Sequence, residues 1–147
     1  MSAYRALAWS DLGRDELYAV LAARQQVFVV EQACAFLDAD GRDADAVHLL
    51  AEDDLGLWGY LRLFAPEGGA ARIGRVLTMA RARGQGRGRP LMEAGHAEVA
   101  RRFGAVAVRV SAQAHLSGFY GSLGYVVEGP GYDEDGIPHL PMIRSAP

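Results

Sequence analysis

The residues best suited to chemistry form the stretch Arg83–Gly88, which reads Arg-Gly-Gln-Gly-Arg-Gly and lies between a predicted strand and a predicted helix. Its alternate glycines allow positive φ angles and remove the Cβ atoms that would keep a ligand away from the backbone. The unpaired amides and the dipole at a helix start favour an anion, and arginines add affinity for phosphate oxygens. The stretch therefore predicts a pyrophosphate site formed by Arg83, Gly84, Gln85, Gly86, Arg87, Gly88 and Arg89.

Other nucleotide-binding motifs do not fit this stretch. A P-loop ends in Gly-Lys-Ser/Thr, whereas residues 88–90 are Gly-Arg-Pro. A dinucleotide fingerprint requires a glycine at position 89, where this chain has Arg89. A glycine-rich connector between exposed arginines stays open as the alternative, because a short motif on its own gives false matches.

The periodicity of apolar residues predicts the elements that position the stretch, in the order strand, helix, three strands, helix, strand, helix and two strands. The predicted strands are Tyr4–Trp9, Val47–Glu52, Leu57–Phe64, Arg72–Met79, Ala105–Val110, Tyr125–Glu128 and His139–Arg144. The predicted helices begin after Asp11, run through Leu91–Phe103 and span about His115–Leu123. Residues 31–45 predict a long loop, a segment type that often carries function. Since no repeat or linker divides the chain, residues 1–147 predict a single α/β domain.

Two motifs resemble the GNAT superfamily of N-acetyltransferases. Arg83, Gly86 and Gly88 match its Q/R-x-x-G-x-G/A signature, and residues 119–125 are similar to its F/L-Y-x-x-x-G-F/Y element. The resemblance implies a mixed, mostly antiparallel central sheet flanked by helices, with a V-shaped opening between strands 4 and 5. It also implies acetyl-CoA as co-substrate, with its pantetheine arm bound at the end of the fourth strand by Leu77, Thr78 and Met79.

A narrower resemblance is to the ElaA-like branch of that superfamily. Residues 24–34, 38–43, 113–116 and 134–139 are similar to segments that recur in this branch. This resemblance does not identify the acceptor of the acyl group. The chain departs from the usual pattern at Arg87, where Leu or Ile is common, and at Pro90, which a first helical turn tolerates because the amide there lacks a partner.

Acyl transfer from a thioester to an amine needs a proton donor for the departing thiolate and an acceptor for the amine proton. The resemblance assigns the donor to Tyr120, for which packing in the core is the alternative. Glu31, at the head of the long loop, is the favoured acceptor among several candidates that include His48, His115 and His139. A backbone amide of the fourth strand, with that of Leu77 as the candidate, would stabilise the oxyanion.

Acidic residues concentrate within residues 38–54 and 133–135, on either side of the basic stretch. They favour a cationic acceptor, either a small amine such as a polyamine or a lysine side chain, although solvated loops would explain them too. The predicted substrate-binding residues are Asp40, His48 and His115. Residues 38–43 also resemble part of a calcium loop, but the bidentate glutamate of such a loop is missing, so we predict no metal.

The composition excludes several classes of protein. With 50% hydrophobic and 22% charged residues the chain is typical of a folded globular domain, and no apolar stretch approaches the roughly 20 residues of a membrane span. A net charge of -3 argues against nucleic-acid binding, a third candidate function that would use the arginine stretch. We expect a cytoplasmic enzyme without a cleavable secretory signal, able to form a homodimer. The competing hypothesis is a non-catalytic acyl-CoA-binding sensor or interaction module, which would not need Tyr120.

Overall fold

The computed structural model describes residues 3–147 as an eight-stranded sheet with helices on both faces. The strands are β1 (Ala3–Ala8), β2 (Val47–Asp53), β3 (Gly56–Glu67), β4 (Ala70–Thr78), β5 (Ala107–Gln113), β6 (Tyr125–Val127), β7 (Tyr132–Glu134) and β8 (Ile137–Arg144). The α-helices are α1 (Arg14–Arg24), α2 (Gly88–Phe103) and α3 (Ser117–Ser122). The strand order is β1-β2-β3-β4-β5-β8-β6, and β7 pairs with β8 beside this path. The mostly antiparallel sheet expected from the sequence is confirmed.

The two faces of the sheet bury separate clusters, because neighbouring residues of a strand point to opposite sides. On β3, Leu61 belongs to the larger cluster, which includes Leu91 and Met92 of α2. Tyr60 belongs to the smaller cluster, which includes Val20 of α1. The two helices therefore cover opposite faces of the central strands.

The predicted order of elements is confirmed, with one strand added and several boundaries shifted by two or three residues. The sequence analysis missed β7, whose residues are all exposed and show no alternation of apolar and polar side chains. Strand β5 ends at Gln113 rather than at the predicted Val110, and its buried residues alternate as Val108, Val110 and Ala112.

The long loop begins where the first helix changes geometry. Helix α1 continues into a π-helical segment, Gln25–Glu31, and a short 3₁₀ turn at Asp43–Asp45 precedes β2. The residues between them are irregular in backbone and reach across the sheet. Within residues 3–147, no helix combines the length and apolarity that crossing a membrane requires.

Strands β4 and β5 form the only parallel pair of the described sheet, and they pair over a short distance. Ala70, Ala71 and Arg72 face residues 107–109, and beyond these three pairs the strands separate. On its far side β5 pairs with β8 over six residues. The sheet is therefore open between β4 and β5, which confirms the V-shaped opening expected from the sequence.

Candidate active site

The opening between β4 and β5 forms a cleft with a volume of about 300 Å³. The β4 wall consists of residues 72–76, and the opposite wall includes Val110, Ser111 and Gln113 of β5. The long loop, the β7–β8 turn and Tyr120 complete the lining. Since a ligand here touches both separated strands and the long loop, the cleft is the candidate active site.

A β-bulge shapes the β4 wall of the cleft. Tyr60 and Arg62 of β3 face Leu77 and Gly74 of β4, so two residues of β4 oppose one residue of β3. Arg75, the first of the two, has a φ of 51°, which is unusual for a residue other than glycine. A bulge leaves its extra residue unpaired, and the backbone at residues 75–76 is therefore available to the cleft.

The predicted pantetheine-binding residues lie just beyond this bulge. Leu77 faces Tyr60 in regular register, and its side chain is buried in the smaller cluster. Thr78 faces Gly59, and Met79 donates its amide to the carbonyl of Trp58. The β4 wall of the cleft thus ends at Val76, and the predicted pantetheine-binding segment begins at the next residue, Leu77.

The glycine-rich loop leads from the end of β4 into α2. Gly84 and Gly86 have φ values of 75° and 69°, and a Cβ atom added to either residue would meet no atom within 4 Å. Gly88 has a different reason to be glycine, because its Cβ would lie 3.3 Å from Cζ of Phe119. Gly84 and Gly86 are therefore explained by their positive φ angles, and Gly88 is explained by the close packing of α3 against the start of α2.

The arginines of the loop donate to protein groups. Arg83 places Nη2 2.6 Å from a carboxylate oxygen of Glu31 and donates to the carbonyl of Thr78. Arg87 pairs with Asp53 at 3.2 Å, and Arg89 donates to Oγ of Ser122. Gln85 donates to the carbonyl of Arg81. These side chains brace the loop, so an anion bound here would depend first on the backbone amides of the loop and of the first turn of α2.

Tyr120 reaches the cleft from α3. Its side chain is 6% exposed and packs edge-on against the rings of Phe119 and Tyr125. Burial raises the pKa of Tyr120 to about 12, because the charged phenolate is poorly solvated there. Tyr120 thus packs in the core and also presents a neutral phenol to the cleft.

Two candidate proton acceptors occupy different places. Glu31 is held by Arg83 near the glycine-rich loop and does not belong to the cleft lining. His139 lines the cleft and is 7% exposed. Its Nδ1 lies 2.7 Å from the carbonyl of Ile137, so Nδ1 carries the proton and Nε2 faces Glu134 at 3.3 Å.

The three predicted substrate-binding residues are not brought together. Asp40 lines the cleft. His48 is fully buried, its ring bonded to the Tyr60 hydroxyl and the Asp43 carbonyl, and burial lowers its pKa. His115 is exposed and lies outside the cleft lining. Of the three, only Asp40 is placed to meet a substrate.

A network of three arginines and three aspartates anchors the long loop beneath the cleft. Arg24 is 0% exposed and contacts Asp38 and Asp43, each at 2.7 Å. Arg62 donates to Asp40 at 2.9 Å and to Asp43 at 2.8 Å, and Arg75 contacts Asp38 at 2.8 Å. The hydrogen bonds from Arg62 hold the pKa of Asp40 well below its usual range.

Sequence reasoning missed this network, although one signal for it was present. Arg24 falls among the apolar positions of the first helix, and a buried guanidinium requires carboxylate partners. The regular spacing of Asp38, Asp40 and Asp43 resembled a cation site, but the cations are arginines from α1, β3 and β4. No group of three or more potential metal ligands occurs within residues 3–147.

A sheet parted between two parallel strands, with a glycine-rich loop at the start of a helix beside the opening, is the architecture of acyl-CoA N-acyltransferases. Known proteins agree with this class. A family model described as an acetyltransferase (GNAT) domain matches residues 15–146. The chain belongs to this GNAT acetyltransferase family.

Relatives match over nearly the full chain. The solved structure of an acyl-CoA N-acyltransferase from Pseudomonas aeruginosa has a TM-score of 0.93 and 42% identity, covering 99% of this chain and 100% of that one. The structure of Escherichia coli ElaA has a TM-score of 0.92 and 36% identity, with coverage of 99% and 100%. A UPF0039 protein of Mycobacterium tuberculosis is 42% identical over 140 residues, which is 91% of this chain and 87% of the relative. The ElaA-like resemblance is confirmed.

The buried network makes a first testable prediction. Replacing Asp38 by Asn leaves Arg24 without a full counter-charge in the interior, so the free energy of unfolding should fall by about 3 kcal/mol. The matched control is Asp45→Asn, an exposed aspartate in the same loop, which should change stability by less than about 0.5 kcal/mol. Urea unfolding followed by circular dichroism measures both. Equal effects of the two substitutions would contradict a structural role for the network.

Proposed function

We propose that the protein transfers an acetyl group from acetyl-CoA to a primary amine by direct attack inside the cleft. The observation that carries this proposal is the parting of β4 and β5 next to the glycine-rich loop, within a GNAT acetyltransferase domain. The loop offers amides to a pyrophosphate, and the separated strands offer a space for a thioester and an amine. Holding the two reactants in this space is a large part of the catalysis, because it converts a bimolecular step into an intramolecular one.

The donor is assigned to the glycine-rich loop and the end of β4. The amides of Gly84–Gly88 receive the pyrophosphate, and the backbone of Leu77–Met79 receives the pantetheine arm. The open surroundings of Gly84 and Gly86 support this assignment, since any side chain there would occupy the space of the ligand.

The bulge supports a revised position for the oxyanion site. The sequence analysis proposed an amide near Leu77, but Leu77 pairs regularly with β3, whereas residues 75–76 belong to the bulge that lines the cleft. We assign the stabilisation of the developing oxyanion to the Val76 amide. A preorganised amide in a cleft acts without reorganising, which makes it effective in the transition state.

Two proton transfers complete the reaction. As the amine nitrogen bonds to the carbonyl carbon and the carbon–sulfur bond breaks, Tyr120 gives its proton to the sulfur. We assign the amine proton to Nε2 of His139 rather than to Glu31, because His139 lines the cleft and the neighbouring Glu134 stabilises the resulting imidazolium. Glu31 then serves to hold Arg83 against the end of β4.

The donor assignment is tested by calorimetric titration of the protein with acetyl-CoA. Gly86→Asp adds a side chain and a negative charge to the loop, so affinity should fall by roughly 10- to 100-fold. The matched control is Gly69→Asp in the β3–β4 turn, where φ is 82° and a Cβ also meets no neighbour. The control should bind like the original protein. An absence of binding by the original protein, or an equal loss in both variants, would refute the assignment.

The role of Tyr120 is tested by Tyr120→Phe, which keeps the ring and removes the proton. Turnover should fall by about 10²-fold while the dissociation constant for acetyl-CoA stays unchanged. Because the pKa of Tyr120 is about 12, the residue stays protonated at neutral pH, and the loss should be constant from about pH 6 to about pH 10. Release of CoA thiol measures turnover. Full turnover by the variant would leave Tyr120 with a packing role only.

The proton acceptor is tested by comparing His139→Gln with Glu31→Gln. The first change removes Nε2 of His139, which we propose accepts the proton of the attacking amine. Turnover should therefore fall by about 10²-fold, and the dependence of turnover on pH should change shape. The second change should leave that shape intact and weaken acetyl-CoA binding, since Arg83 loses its charged partner. The reverse pattern in the pH profiles would return the role of acceptor to Glu31.

A further inference from the structure

The charges that line the cleft are not all balanced by one another. The buried network pairs three arginines (Arg24, Arg62, Arg75) with three aspartates (Asp38, Asp40, Asp43). Arginines of the protein itself therefore neutralise the aspartates of the long loop, the residues that had suggested a cationic substrate. The charges left over in the cleft lie on two different walls, and they differ in sign.

Two arginines of the cleft lining, one from the long loop and one from β4, have no carboxylate partner among the described residues. Arg42 and Arg72 line the cleft, both are exposed, and neither forms an ion pair within residues 3–147. The Arg42 guanidinium lies over the ring of Phe64, 4.6 Å from its centroid. Arg72 faces Phe64 directly across the two strands, so their side chains share a face of the sheet. Phe64 thus brings two unneutralised guanidinium groups to one side of the cleft.

A third donor lies beneath them. The Arg62 guanidinium also lies near this ring, 5.2 Å from its centroid. Its Nε is buried and has no hydrogen-bond partner among the described residues. Gly74, which faces Arg62 across the strands, leaves the space above this part of the wall open. This side of the cleft therefore has hydrogen-bond donors that are not bonded to described protein groups.

The opposite wall retains carboxylates. Glu134 and Asp135 lie at the turn between β7 and β8, and both line the cleft. Glu134 contacts His139, and the Asp135 carbonyl accepts a hydrogen bond from Sγ of Cys34, which ties this turn to the long loop. The cleft thus has a positive side and a negative side, a distribution that suits a ligand with both charges.

We propose that the natural acceptor is an amine that also carries a carboxylate, an amino acid or a compound of the same chemistry. Arg42 and Arg72 hold the carboxylate, while Glu134 and Asp135 draw the ammonium group towards His139. The planar guanidinium fork matches two carboxylate oxygens, and stacking on Phe64 orients Arg42 before the acceptor arrives. This inference rests on the proposed function and deepens it by naming the substrate class. A polyamine would place a second positive charge against the two arginines.

The experiment compares acceptors that differ only in the carboxylate. Three pairs of equal chain length serve: lysine with cadaverine, ornithine with putrescine, and 6-aminohexanoate with pentylamine. Turnover with acetyl-CoA is followed by thiol release, and each compound is also titrated calorimetrically into the protein saturated with CoA. In at least one pair the carboxylated member should have a kcat/KM higher by about tenfold or more, the effect of a charge-assisted contact.

Four variants, one of them a control, locate the effect. Arg42→Gln and Arg72→Gln should each lower kcat/KM and binding for the carboxylated member by about tenfold and leave its decarboxylated partner within about twofold. The control is Arg101→Gln, since this arginine pairs with Glu98 on α2, outside the cleft lining. The control should preserve both values. Arg42→Lys should restore part of the preference, because it restores the charge without the fork.

The outcomes separate the inference from the function on which it rests. Acetylation of cadaverine, putrescine and pentylamine, each as fast as its carboxylated partner, would overturn the inference and leave the acyltransferase intact. A preference that the arginine variants leave unchanged would overturn it as well. Arginine-dependent binding of a carboxylated amine without any thiol release would support the recognition and refute the proposed transfer. Neither binding nor turnover of any of the six amines would overturn both.

Discussion

The short pairing between β4 and β5 is the constraint on which the rest of the site depends. Strands β4 and β5 are joined over three residue pairs, and the bulge at residues 75–76 bends β4 shortly after the last of them. The separation exposes the backbone of residues 75–76 on one side and the β5 residues 110–113 on the other. It also leaves Tyr120 at the bottom of an opening rather than beneath a continuous sheet. The cleft is thus a consequence of strand pairing and not of a cavity inside a packed core.

The buried ion pairs hold the long loop in place at this opening, and burying these charges costs free energy. Removing arginine and aspartate from water is expensive, and the mutual attraction repays it only with good geometry and saturated hydrogen bonds. Arg24 meets this condition through Asp38 and Asp43, and Arg75 meets it through the same Asp38. Since Arg75 is the bulged residue of β4, the network connects the conformation of the loop with the conformation of the cleft wall. This connection explains why so many charges lie in the interior.

In the glycine-rich loop the side chains bond to neighbouring elements, whereas the backbone at the glycines is left open. Arg83, Arg87 and Arg89 each bond to a neighbouring element, and the loop is held to the π-helical segment, to β2 and to α3 in this way. The backbone at Gly84 and Gly86 remains open. Because the side chains brace the loop, the anion binding that we propose for its backbone would cost little loop entropy.

The sequence by itself determined the order of the elements, the class of the sheet, the loop with its two positive-φ glycines and the GNAT family, because these depend on local periodicity and short motifs. It did not determine β7, whose three exposed residues carry no periodic signal. Nor could it show that Asp38, Asp40 and Asp43 face arginines from three distant elements, or that His48 is buried while His139 lines the cleft. Those facts were decided by the tertiary structure, since the partner of a charge depends on which strands and helices pack together, and no spacing along the chain records that.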